Sequence, residues 1–113
     1  MHEMSLCESV IRILEDEAKR QGFSKVRVVR LEIGRLGHVE PEAMSFCFEA
    51  VKRDTLAADA RLEILTPPGQ AWCMDCGKAV EIAQRYDPCP TCAGHRLQVT
   101  GGDGMRIKEL EVD

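Results

Sequence analysis

The sequence predicts an α+β chain: two helices on a three-stranded sheet, with a small zinc-ribbon-like four-cysteine module inserted before the last strand. Three observations lead there. Apolar residues recur at helical spacing in two segments and at strand spacing in three. Thr66-Pro67-Pro68-Gly69 breaks the chain after the second strand. Beyond it stand two Cys-x-x-Cys pairs, in a stretch of 34 residues (67–100) too poor in bulky apolar side chains to build a core unaided.

Between Met4 and Gln21, residues Leu6, Cys7, Val10, Ile11, Leu14 and Ala18 share one helical face. Glu8 to Arg12 and Glu15 to Lys19 pair at i,i+4 on the other, and Gly22 is placed to end the helix. Lys25 to Ile33 reads as a strand, because Val29, Leu31 and Ile33 alternate with Arg30 and Glu32. Pro41 opens a second helix; a proline suits the first turn, and Glu40 and Glu42 suit the positive end of its dipole. Met44, Cys47, Phe48 and Val51 form its apolar stripe. Arg61 to Leu65 is a short strand with Leu62 and Ile64 on one side. Met105 to Val112 is the closing strand, and its parity changes near Lys108-Glu109, which reads as a bulge. Residues 1–66, completed by 101–113, thus form a main domain, and 67–100 an inserted metal-binding domain.

Composition narrows the function. The 113 residues carry 15 Lys+Arg against 19 Asp+Glu, a formal net charge of -4. Such a balance lacks the basic footprint of a nucleic-acid binder. Apolar runs fall far short of the ~20 residues that span a bilayer. No basic stretch precedes an apolar segment at the N-terminus, so a secretory signal is not expected and the cytoplasm is. In that reducing compartment cysteines serve as metal ligands or buried thiols more often than as disulfides.

Cys73-x-x-Cys76 and Cys89-x-x-Cys92 are separated by twelve residues, room for a hairpin out and back. Each pair points two sulfurs at one cation, and two pairs complete a tetrahedron for zinc. Four thiolates leave no open position, so the metal is expected to be structural. Gly77, Ala93 and Gly94 let backbone N–H groups turn back toward the sulfurs. A redox dithiol and an iron centre use the same residues and stay open. Four thiolates and one Zn(II) add -2, bringing the charge from -4 to about -6. Cys7 and Cys47 sit on apolar helix faces and read as small core residues.

The chain opens Met1-His2-Glu3. The α-amine of Met1, the amide nitrogen of His2 and its imidazole can close fused chelate rings around one ion. Planar nitrogen donors suit Ni(II) and Cu(II), whereas zinc prefers a tetrahedron. His2 is too large for ready excision of Met1. A histidine at position two also arises by chance at a solvated terminus. The pattern alone leaves both open.

Met1-His2-Glu3-Met4-Ser5-Leu6 opening a helix resembles the HypA/HybF family of nickel metallochaperones. So do Glu32-Ile33-Gly34, Val39-Glu40-Pro41-Glu42-Ala43-Met44 with Phe46, Phe48 and Glu49, the two cysteine pairs, and Glu109-Leu110-Glu111-Val112. The resemblance spans the chain. It implies a carrier of Ni(II) as transient cargo for [NiFe]-hydrogenase maturation, with structural Zn(II). It implies nickel on His2 and backbone nitrogens, with Glu3 adjacent to the site; the residue itself can serve through its amide, through its carboxylate, or simply by favouring the helix N-terminus. It also implies a nickel-handling GTPase, HypB, as partner, the hydrogenase large subunit or its maturation complex as recipient, and in some organisms urease accessory proteins. His95, three residues after Cys92, is the only histidine near the zinc module, and His38 reads as solvated. Trp72 and Tyr86 are expected to pack around the metal knuckles. No nucleophile-base set or open metal site is spaced for catalysis, so the chain is not expected to be an enzyme. A zinc-ribbon interaction module is the competing reading.

Overall fold

A computed structural model describes residues 2–113. The elements follow in the order α1 (His2–Gln21), β1 (Val26–Ile33), α2 (Pro41–Val51), β2 (Arg61–Leu65), β3 (Gly69–Cys73), β4 (Lys78–Ile82), β5 (Leu97–Gly101) and β6 (Met105–Val112). Two three-stranded sheets result, with strand orders β2-β1-β6 and β4-β3-β5. The α+β class, both helices and the three outer strands stand where periodicity places them. Helix α1 begins two residues earlier than the apolar repeat, at His2.

The chain divides into two compact units. One contains the segments up to Leu31, Val39–Ile64 and Ile107–Asp113. Its core is the apolar face of α1 (Cys7, Val10, Ile11, Leu14) with Val26, Val29 and Leu31 of β1 and Met44, Cys47 and Phe48 of α2, all buried. Gly22, at φ +78°, closes α1, and its N–H donates to the Ala18 carbonyl at 2.9 Å. Pro41 occupies the first turn of α2, whose N-cap Glu40 is extended and offers no side-chain cap. The Glu3 carboxylate takes that place, accepting the Glu40 N–H at 3.5 Å.

Cys7 and Cys47 are core residues, as expected. The Cys7 thiol donates to the Met44 carbonyl at 3.4 Å. Burial, with the nearby charges of Cys47 and Glu3, pushes its pKa up to about 11. Arg30 at the centre of β1 meets Glu63 of β2 at 2.9 Å and Glu109 of β6 at 3.5 Å, with Glu111 beside them. Burial along β6 alternates, then breaks at Lys108–Glu109, where two exposed residues follow one another.

The second unit is Glu32–His38 with Leu65–Arg106. Its central strand β3 pairs antiparallel with β4 from Gly69↔Ile82 to Cys73↔Lys78. On the other side β3 pairs with β5, slipping register between Gln70 and Ala71. The core is small: Leu36, Ala71, Cys73, Val80, Ile82 and Cys89, with Cys76, Leu97 and Val99 packed on it. Leu36 comes from the loop after β1, where Gly34 and Gly37 gave no sign of a core position. Glycines carry that loop past its neighbours. A Cβ on Gly34 would run into the backbone of Gly102, while the Leu36 N–H donates to the Gly102 carbonyl at 2.8 Å.

Gly34→Ala is therefore expected to cost roughly 1–3 kcal/mol, since backbone has to move. Gly104→Ala, where a Cβ meets nothing within 4 Å, is expected to stay within about 0.5 kcal/mol of the parent. Urea unfolding of metal-loaded protein checks both, followed by the fluorescence of Trp72, the single tryptophan, which lies in this unit.

Candidate metal centre

Strand β3 delivers Cys73 from its last position, and the turn that follows carries Cys76 three residues on. The loop between β4 and β5 returns Cys89 and Cys92. The two turns share one construction. The Gly77 N–H donates to the Cys73 carbonyl at 2.8 Å, and the Ala93 N–H to the Cys89 carbonyl at 2.8 Å. Both residues lie four positions after the first cysteine of their pair, and both are left-handed, Gly77 at φ +66° and Ala93 at φ +63°. Amides within both turns meet sulfur. The Cys76 N–H donates to Cys73 Sγ and the Thr91 N–H to Cys89 Sγ, each at 3.4 Å.

All four Sγ atoms lie within 4.8 Å of one another. Cys73 and Cys92 sulfurs are 3.7 Å apart, and those of Cys76 and Cys89 are 3.9 Å apart. A tetrahedron with metal–sulfur bonds of ~2.3 Å has edges of roughly 3.8 Å. The donor set fits a tetrahedral divalent ion such as zinc. The near pairs cross from one knuckle to the other, as one shared ion requires and two separate redox dithiols do not. Cys73 and Cys89 are buried within the unit's core, Cys76 is partly buried and Cys92 is exposed.

The charge arrangement points the same way. Backbone N–H groups of Cys92 and Thr91 aimed at Cys89 hold its thiol down to about 6. Cys76, hydrogen-bonded to Cys92 and desolvated, is pushed up to about 12. Four neighbouring thiolates repel, so the metal-free cluster retains protons that a divalent cation would displace.

Around the centre the packing differs from expectation. Trp72 is 44% exposed and Tyr86 92% exposed, so neither encloses the knuckles. Trp72 alternates with Ala71 and Cys73 on β3 and faces the opposite side of the sheet. Its lateral neighbours there are Ala79 and Gln98. Leu36, Val80 and Ile82 pack the metal side instead. His95 and His38 are exposed and belong to no metal-sized cluster among the described residues.

A second group of candidates opens α1. The His2 side chain is 56% exposed, with its Nε2 3.9 Å from Glu3 Oε2, while the Glu3 side chain is 15% exposed and held toward the Glu40 amide. First-turn amides of a helix have no carbonyl partner four residues back. The amide nitrogens of His2 and Glu3 are thus not committed to the helical ladder. Met1, whose α-amine the chelate needs, lies outside the described residues. Among the described residues no helix is long and apolar enough to cross a membrane.

The sequence model of a family described as hydrogenase/urease nickel incorporation, metallochaperone, hypA matches residues 1–112. A hydrogenase maturation factor HypA of Rhodopseudomonas palustris (strain BisA53) is 68% identical over 113 residues, all of both chains. Hydrogenase maturation factor HypA 2 of Bradyrhizobium diazoefficiens (strain USDA 110) is 63% identical over the same full length. The solution structure of the Ni metallochaperone HypA from Helicobacter pylori superposes with a TM-score of 0.71 at 28% identity. That likeness covers 97% of this chain and 96% of the other. A second solution structure, of a HypA protein, gives a TM-score of 0.74 at 28% identity over 99% of this chain and 96% of that one.

Backbone conformation at the knuckles makes a direct prediction. A Cβ on Gly77 meets nothing within 4 Å, so Gly77→Ala carries only the left-handed penalty of about 1 kcal/mol. Competition against a chromogenic chelator is expected to show zinc held about fivefold more weakly in that variant. Ala93→Gly relieves the same penalty and is expected to shift zinc affinity the other way.

Proposed function

Because this chain belongs to the HypA family of hydrogenase/urease nickel-incorporation metallochaperones, we propose that it holds Ni(II) at its N-terminus, through His2, for transfer to a hydrogenase. The chain is a hydrogenase maturation factor and a nickel metallochaperone, not an enzyme. In our reading the nickel donors are the His2 imidazole, the amide nitrogens of His2 and Glu3, and the α-amine of Met1. The observation that carries it is the exposed imidazole of His2 at the first turn of α1, beside amides with no helical acceptor. The positive end of the helix dipole stabilises a deprotonated amide there. Only a metal high in the Irving–Williams order, such as nickel, displaces an amide proton readily.

Glu3 has a double part in this proposal. Its amide is a donor, and its carboxylate ties the metal-bearing turn to the first turn of α2. A nitrogen site with one side open to solvent lets an acceptor take ligand positions one at a time. Four buried protein ligands would hold the cargo too firmly to pass on.

We assign nickel handling to residues 1–66 completed by 101–113, and the resident Zn(II) to residues 67–100, on Cys73, Cys76, Cys89 and Cys92. A zinc ion there would neutralise the four thiolates and supply the cross-link that so small a core lacks. Partners in this reading are the GTPase HypB, the hydrogenase large subunit or its maturation complex, and urease accessory proteins where urease is present. Six free cysteines suit a reducing cytoplasm.

Two variants separate terminal from internal nickel binding. Adding two residues before Met1 keeps every side chain but moves the α-amine away from His2, and His2→Ala removes the imidazole. Both are expected to abolish nickel binding in titrations of zinc-loaded protein, with zinc content and helicity unchanged. Parent-like binding in either variant would remove the terminal chelate and make His38 and His95 the next candidates.

A further inference from the structure

The four cluster sulfurs differ in how open they are. Cys73 and Cys89 belong to the buried core, Cys76 is partly buried, and Cys92 alone is exposed. What stands beside Cys92 comes from the other knuckle. Asp75, next to Cys76 in the first turn, accepts the Arg96 guanidinium on Oδ1 at 2.8 Å. Its second oxygen, Oδ2, is turned toward Gly94. A Cβ built on Gly94 would lie 3.1 Å from that oxygen and 3.3 Å from Cys92 Sγ. A carboxylate oxygen of one knuckle and the exposed sulfur of the other thus flank one position that carries no side chain.

Backbone hydrogen bonds hold this corner in place. The Gly94 carbonyl accepts the Cys89 N–H at 2.7 Å, and the Arg96 carbonyl accepts the Met74 N–H at 2.9 Å. Gly94 is thereby anchored to one knuckle and Arg96 to the other. Unlike Gly77, Gly94 does not lie in the left-handed region, so its backbone conformation does not call for glycine. What the missing side chain provides is room. The opposite flank of the cluster is filled by Leu36, Val80 and Ile82.

We propose that the Asp75 carboxylate and the space above Gly94 form the entrance by which a divalent ion reaches and leaves the four cysteines, with Asp75 Oδ2 as a passing ligand. This rests on the assignment of Zn(II) to Cys73, Cys76, Cys89 and Cys92. Zinc accepts carboxylate oxygen as well as thiolate and can take a further ligand in passing, so an oxygen can hold it while sulfurs are gained or lost singly. Each thiol that gains the ion gives its proton to solvent and takes one back on release. Cys92, the exposed sulfur, is the one whose place Asp75 can take. The Asp75–Arg96 pair is itself exposed, and such pairs are weak in solvent, so Arg96 orients the carboxylate without locking it. A ligand engaged only in passing lowers the barrier in both directions and leaves the affinity where it was.

Exchange of bound zinc against isotopically enriched zinc, followed by mass spectrometry of the zinc-loaded full chain, tests the proposal. Competition with a chromogenic chelator gives the affinity of the same samples, and far-ultraviolet circular dichroism with zinc content verifies that each variant is folded. Asp75→Asn is expected to slow exchange about tenfold, with affinity within about threefold of the parent, and Asp75→Glu to recover most of the rate. Gly94→Ala, which fills the space, is expected to slow exchange likewise. Arg96→Gln, which frees the carboxylate, is expected not to slow it. If Asp75 only clasped Arg96, Asp75→Asn and Arg96→Gln would behave alike, and both would lose zinc sooner. Exchange that is unchanged or faster in Asp75→Asn or in Gly94→Ala would overturn the entrance and leave the zinc assignment standing. So would equal slowing in Arg96→Gln, no recovery in Asp75→Glu, or a rate change matched by an equal change in affinity. A parent that binds no zinc would overturn both.

Discussion

Four sulfurs within 4.8 Å of one another are the constraint on which the second unit rests. Two of them, in Cys73 and Cys89, are also members of its core, which otherwise consists of Leu36, Ala71, Val80 and Ile82. Burial of so few side chains, at about 1.5–3 kcal/mol each for the larger ones, falls well below the entropy of ordering the chain around them. The fold therefore has to be closed by something other than hydrophobic burial. A tetrahedral divalent ion held by Cys73, Cys76, Cys89 and Cys92 would do that, and each cysteine turn is closed by a left-handed residue, Gly77 in one and Ala93 in the other.

Cysteine has opposite parts in the two units, and environment makes the difference. Cys7 is surrounded by the apolar faces of α1 and α2 and keeps its proton, with its pKa raised to about 11. Cys89 is offered backbone N–H groups and is held down to about 6. Desolvation governs the first and hydrogen bonding to the anion governs the second. A nickel metallochaperone benefits from this separation, because a thiol that stays protonated does not compete for the cargo.

Much of this was legible before the fold was known. The apolar repeats located α2 from Pro41 and β2 at Arg61 to Leu65, and cysteine spacing picked out the four sulfurs that the fold brings together, because both are local rules with fixed periods. Leu36 was not legible. A single leucine between two glycines has no period, and its partners lie more than thirty residues away. Trp72 was misplaced for a different reason. Sequence proximity to Cys73 suggested contact, whereas strand alternation sends adjacent side chains to opposite faces. Chemistry alone made His2 one candidate donor beside a chance reading, and its setting, with Glu3 held to the Glu40 amide, depends on a tertiary contact between Glu3 and the N-cap of α2.

The meeting of Gly34, Pro68, Gly69 and Gly102 has a consequence for how this chain can change. A Cβ on Gly102 would strike the Pro68 carbonyl and Gly69, and one on Gly34 would strike Gly102. The strands leading into and out of the four-cysteine segment thus touch backbone to backbone. A segment with its ends already together can lengthen, shorten or be exchanged in its middle while the distance to be spanned stays the same. Residues remote from that crossing are free to drift to suit new recipients of the metal, while the crossing itself admits nothing larger than hydrogen.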